Sequence, residues 1–422
     1  MTTEVDVAIV GGGAAGIGAA RALVQGNPGL RVLLLEASSR LGGRACTREY
    51  RGLDLDLGAG WLHSADRNAW TNIATAAGIP IDRTPPAWGQ QFRDAGFPKG
   101  EQVAARRAVD EWVKRLRESP PADDCTASAL DPANEWNAYI RTIAGFLTGA
   151  PVERLSAADY VAYDEVSTDA NWRVKSGYGA LVAQGFPAGV TPRLGTPVTK
   201  IDLAPGHVAL ETPAGAIRAR AAILSVSTGV LAGDTIELPR QLDAWREAAS
   251  HLPLGHTEKF FLEIVGNTPF EADKQALGNP RDVRTASYYL MPFGWQVVEC
   301  FLSGEAADLL EQEGPGAAFD FAFGQLAALF GADIRRSLRP LAASHWNRTV
   351  RIGGAYSYAL PGKADARAAL AAPCDDRIFF AGEATSREDY STVHGAHDGG
   401  VRAAGEVLRA LAVEPNLARR AL

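Results

Sequence analysis

Apolar residues at the start of the chain come in short runs, each with one charged residue near its start. Residues 5–10 form one run, closed by Gly11-Gly12-Gly13, and the lack of polar alternation predicts a strand buried on both faces of a parallel sheet. Residues 14–24 are small and apolar and predict a helix. Residues 30–35 give a second strand that ends at Glu36. Together they make a β-α-β unit of the usual size, about 30 residues. Beyond Asp82 the texture changes, and Thr84-Pro85-Pro86 interrupts the chain. Val109, Trp112, Val113 and Leu116 then share one helical face, and a second helix carries Trp136, Tyr139, Ile140, Ile143 and Leu147.

From Pro197 the period falls to two. VTKIDLA, HVALET and IRARAAILSV, divided by Pro205-Gly206 and Pro213-Ala214-Gly215, predict a three-stranded meander. Residues 256–265 and 296–302 predict further strands. Phe319, Phe323, Leu326 and Phe330 mark a helix, and the chain closes with a strand at 377–381, a turn, and a helix over 392–411. The expected fold is α/β. A discontinuous Rossmann-like nucleotide domain of residues 1–80, 175–250 and 346–415 combines a parallel sheet with the meander. An inserted α+β domain of residues 81–174 and 251–345 would meet the substrate.

Composition narrows the function classes. The 422 residues carry a net charge of −7, which gives a nucleic-acid partner no electrostatic support. The four cysteines, Cys46, Cys125, Cys300 and Cys374, are widely spaced, so neither a disulfide framework nor a structural zinc site is expected and no metal is assigned. Glu4 and Asp6 stand at the start of the first apolar run with no basic stretch, which argues against a secretory signal, and no run of 18 apolar residues exists to span a membrane. The expected setting is the cytoplasm, as a monomer or homodimer. Seven lysines in the whole chain make a well-placed one easy to notice.

The first chemical motif is Gly11-x-Gly13-x-x-Gly16, between strand and helix. Gly11 permits the tight turn, Gly13 lets backbone approach a pyrophosphate, and Gly16 lets the helix pack on the strand. The helix start at Ala14 and Ala15 offers N–H groups to phosphates. Glu36, at the end of the second strand, suits ribose hydroxyls. This unit alone does not separate FAD from NAD. The next residues, Ala37 and then Arg40-Leu41-Gly42-Gly43-Arg44, add a close-approach glycine pair and a planar cation that an NAD enzyme has no evident need for.

EASSRLGGR, DLDLGAGWLH, WNRTVRIGGAYSYALPG and IFFAGEATSREDYSTVHGAHDGGVRAAGEVL, in that order, resemble the flavin amine oxidase family of monoamine oxidases, polyamine oxidases and flavin-type lysine demethylases. The resemblance implies the amine oxidase fold and bound FAD, with molecular oxygen and a small amine as reactants. It places Gly58, Ala59, Gly60, Trp61, Val198, Trp346, Gly382, Glu383, Thr392 and Val393 at the cofactor. Glu383 would face the ribityl–pyrophosphate stretch, and Thr392-Val393 would start the closing helix beside the ring.

The same resemblance assigns Lys259, in HTEKFFLEI, to the lysine that holds a water at the flavin. Tyr356 matches one wall of an aromatic cage whose second tyrosine is replaced by Thr392. His63 matches a histidine near the substrate. Ala355 stands where monoamine oxidases carry the flavin-bonding cysteine, so the FAD is expected to be non-covalent. An amino-acid oxidase, a C–C desaturating flavoenzyme and a dehydrogenase with a protein electron acceptor remain open on the same fold. Trp172, Tyr288, Tyr289, Phe293 and Trp295 are candidates for the pocket wall, and Glu165, Glu263 and Glu299 for the carboxylates a polyamine would need.

Overall fold

The computed structural model describes residues 2–314 and 316–420. Its first sheet is built around the long strand Gly215–Leu224. On one side this strand pairs in parallel with Thr3–Val10, which pairs in turn with Val32–Leu35 and, beyond it, Thr191–Arg193. On the other side it forks. Its first half runs antiparallel to His207–Thr212, and its last residues run parallel to Ile378–Phe380. The meander is therefore part of the parallel sheet, with Lys200–Ala204 on its outer edge. The strand Thr191–Arg193 was not expected; it is short and carries Pro192, which only an edge position tolerates.

Both faces of this sheet are covered where its central strands end, which is why their last four residues, 7–10 and 221–224, are all apolar and buried. Ile9, Leu34, Ile223 and Phe379 pack against the helices Ala14–Gly26 and Val393–Arg420. Those helices touch backbone to backbone, since a Cβ on Gly400 would fall 2.0 Å from the Ala15 carbonyl oxygen. The opposite face buries Val10, Leu35, Leu210 and Leu224 against Leu231, Leu242 and Leu370. Each such fully buried aliphatic side chain contributes roughly 2 kcal/mol.

A second sheet is antiparallel, in the order Lys274–Leu277, Ser287–Leu290, Val297–Ser303, Thr257–Ile264, Leu338–Ala343. Alternation sorts its side chains. Phe260, Leu262, Val298, Cys300 and Leu302 enter a core shared with the helix Ala317–Phe330. Lys259, Phe261, Glu299 and Phe301 point to the other face. The helices Lys99–Glu118, Asn137–Thr148 and Ala157–Val166 form a third layer around Trp112, Tyr139, Ile140 and Tyr160. A hairpin, Thr47–Tyr50 with Leu53–Asp56, turns through Arg51 and Gly52 at positive φ and joins Leu55 to Phe261 and Val297 of the second sheet. No helix among the described residues is long and apolar enough to cross a membrane.

Candidate active site

The three inner parallel strands end level, Val10 lying opposite both Leu35 and Leu224. The chain turns there through Gly11 at φ 110°, a region closed to most L-residues. Gly13 caps the helix Ala14–Gly26 with no side-chain bond, so the first-turn N–H groups and the positive helix end stand uncapped at the wall of a large cavity. Gly16 is not on that wall. A Cβ there would lie 2.0 Å from the Gly11 carbonyl oxygen, so it seats the helix on the turn.

Glu36 braces the same turn. Its carboxylate accepts from the N–H of Gly12 at 2.6 Å and of Ser38 at 2.7 Å. Gly42 N–H donates to the Gly12 carbonyl at 2.8 Å, and Gly42 and Gly43 sit at φ 100° and 58°. Arg40 stabilises this loop from within, donating to the carbonyls of Leu41 and Gly43. Arg44 donates to the Ala355 carbonyl and to Glu383, 3.1 Å away.

Glu383 follows the strand Ile378–Phe380 through Gly382 at φ 140°. Besides Arg44, it accepts from Ser357 N–H at 3.1 Å, Ser357 hydroxyl at 2.7 Å and Ser391 N–H at 2.9 Å. Burial alone would push its carboxyl up; Arg44, Arg367 and these donors outweigh burial and hold it below its ordinary range. Behind it lies a fully buried pair in which Arg367 grips Asp159 with two bonds of 2.6 and 2.8 Å and donates to Ser357 hydroxyl at 2.9 Å. Thr392 is the N-cap of the last helix. Its hydroxyl accepts from Gly395 N–H at 2.9 Å and donates to the Asp389 carbonyl.

On the far side of the cavity, the alternation of the second sheet brings Lys259 and Glu299 to one face. They are diagonal neighbours, Lys259 opposite Phe301 and Phe261 opposite Glu299. Lys259 is buried, its Nζ is 2.9 Å from Glu299, and a Cβ on Gly60 would come within 3.0 Å of that nitrogen. Trp346 donates its indole N–H to the Leu57 carbonyl and packs over Gly58. Tyr356 hydroxyl donates to the Phe146 carbonyl at 2.8 Å, and burial raises its pKa, keeping the phenol protonated.

His63 faces Asn171 because Leu62 and Trp172 pair antiparallel, which sets their neighbours opposite one another. Its Nδ1 is 2.7 Å from Asn171 Oδ1. Burial pulls its pKa down to about 4 despite that bond, so the ring is neutral near pH 7.

One cavity of about 1200 Å³ joins these parts. Its walls include Gly11, Gly13, Ala14, Ala15, Glu36, Ala37, Arg40, Gly42, Gly43, Arg44, Gly58, Ala59, Gly60, Trp61, Val198, Trp346, Gly382, Glu383, Thr392 and Val393. They also include Lys259, Tyr356 and His63. Of the aromatic wall candidates, Tyr289 is on the cavity. Tyr288 is in the core, and Arg173 stacks beneath Trp61, Tyr289 and Phe293. Of the carboxylates, Glu299 lines the cavity. Glu263 is bound to Arg51 outside it, and Glu165 is exposed. Sequence reasoning missed Asn171, Ser357, Asp159 and Arg367. Glu299, a carboxylate candidate from the sequence, reaches Lys259 only through the pairing of Val297–Ser303 with Thr257–Ile264, which no local pattern gives.

Most small-molecule pockets span roughly 300–1,000 Å³, so this one has room for a dinucleotide with a small substrate beside it. The uncapped helix start, the glycine contacts and Glu36 suit pyrophosphate and ribose, and no cysteine is among the described lining residues to bond a flavin. Fold and cavity thus define a dinucleotide-dependent oxidoreductase. Residues 9–76 match the NAD(P)-binding Rossmann-like domain, and residues 104–408 match the flavin containing amine oxidoreductase model. Polyamine oxidase 3 of Oryza sativa subsp. japonica is 30% identical over 94% of this chain and 88% of its own. Polyamine oxidase 4 of the same plant is 28% identical over 98% and 90%. Wild-type putrescine oxidase bound to putrescine superposes with a TM-score of 0.74 at 20% identity, over 97% of this chain and all of that one. The chain belongs to the flavin containing amine oxidoreductase family and is an FAD-dependent amine oxidase.

Proposed function

We propose that the chain oxidises an amine at the carbon beside its nitrogen, with molecular oxygen as final acceptor and hydrogen peroxide as reduced product. The observation that carries this reading is the buried Lys259–Glu299 pair against Gly60, on the cavity that also holds the glycine turn. FAD, when bound, supplies the acceptor for the α-carbon hydride. The ring of Tyr356, fixed by its bond to Phe146, forms one wall for the amine. Neutral His63 adds no positive charge beside the substrate nitrogen, so it does not disfavour the ammonium's approach, and its Nδ1 stays tied to Asn171. Lys259 Nζ, with one bond to Glu299, keeps two further N–H donors for a water or for dioxygen. The Val393 N–H, which the Thr392 cap does not engage, and the positive end of the last helix favour negative charge next to them. Four free cysteines suit a reducing compartment, and we place the enzyme in the cytoplasm, as a monomer or homodimer.

Peroxide release from a panel of amines, read with a peroxidase-coupled dye, tests this function. Lys259→Met is expected to lower kcat about 100-fold or more at unchanged flavin content. Turnover with an artificial electron acceptor but no peroxide in air would refute the oxidase reading and leave a dehydrogenase.

A further inference from the structure

Beyond Lys259 the cavity runs between the helix Asn137–Thr148 and the second sheet. One face of that helix, Tyr139, Ile143, Phe146 and Leu147, forms an apolar wall, and Phe146 meets Phe301 of the sheet with ring centres 5.5 Å apart. Among the described residues, two carboxylates line this half, Asp164 and Glu299. Glu299 is already neutralised by Lys259 at 2.9 Å, and Asp164 by Arg117. One buried acceptor stands open, Gln275 Oε1, which suits a single N–H or O–H donor rather than a full charge. A second ammonium pressed against this wall would be desolvated with no free anion to meet it.

Resting on the amine-oxidase reading, we infer that the site selects amines with one positive charge and an apolar body, and discriminates against diamines and polyamines. The selectivity comes from chemistry the chain has already used up: each carboxylate that could anchor a distal cation is paired with a cation of its own.

The test compares anaerobic flavin reduction of the holoenzyme by equal-length pairs, hexylamine against diaminohexane and octylamine against diaminooctane, with phenethylamine and spermidine added. The monoamines are expected to reduce the flavin with kcat/KM about 100-fold above the matched diamines. Ile143→Glu, which puts a free carboxylate on the apolar wall, is expected to narrow that ratio about 10-fold. Because Ile143 is partly exposed to the cavity, the variant's flavin spectrum reports whether it is folded. Equal or faster reduction by the diamines overturns the selectivity and leaves the amine oxidase standing. No reduction by any amine in the panel overturns the amine oxidase itself.

Discussion

Replacing Arg367 with methionine removes the cation from a pair whose side chains are 0% and 1% exposed. Asp159 would keep a single donor, Ala359 N–H at 2.9 Å, for a carboxylate that now accepts two guanidinium bonds as well. The guanidinium also lies 3.7 Å over the Tyr390 ring. A buried charge stripped of its partner costs about 3–5 kcal/mol, and Arg367→Met is expected to destabilise the holoenzyme by that amount. Adding Asp159→Asn removes the stranded charge, so the double variant is expected to recover all but about 1–2 kcal/mol. Equilibrium denaturation read by tryptophan fluorescence measures the four corners of this cycle. Flavin retention should fall alongside, because Arg367 bonds Ser357 and adds to the positive surroundings of Glu383. A single variant within about 1 kcal/mol of wild type, or a double variant no better than the single, would refute the reasoning.

Gly58→Ala is expected to abolish flavin retention: its Cβ would lie 1.8 Å from the Arg44 carbonyl oxygen, and an alanine protein isolated yellow would contradict this. His256 makes a pH-dependent contribution to stability. Burial opposes its charge, but Asp308 and Glu258 raise its pKa from 6.5 to about 9. It therefore contributes stability that is fully present below pH 6.5 and lost as pH rises through 9, roughly 2–3 kcal/mol. His256→Asn should flatten that slope in denaturation measured across pH. Finally, with Ala355 on the cavity wall, acid precipitation is expected to release all the flavin into the supernatant; colour left in the pellet would show a covalent bond.

The nucleotide end was legible because its residues carry local rules. A buried strand, a positive-φ glycine, a helix start and an acid at the next strand's end all follow from neighbours in sequence. The sheet behind Lys259 was legible only in part. Residues 256–265 read as a strand, but Lys274–Leu277 and Leu338–Ala343 lack a clear period. Their place is set by pairing with distant strands, including a bulge between Pro340 and Ala342. The network at Glu383 could not be read at all. Asp159 and Arg367 lie 208 residues apart, and nothing local marks either as buried. Trp172 and Tyr288 looked like pocket walls because a partly or fully buried aromatic residue serves core and cavity equally well.

Anaerobic mixing of the purified yellow protein with amines, followed by its absorbance in the visible blue, tests the central claim most directly. The account predicts that a simple amine bleaches the flavin and that admitting air restores the colour with about one peroxide formed per flavin. A flavin that stays oxidised with every amine offered, or a protein that binds no flavin on reconstitution, would contradict it.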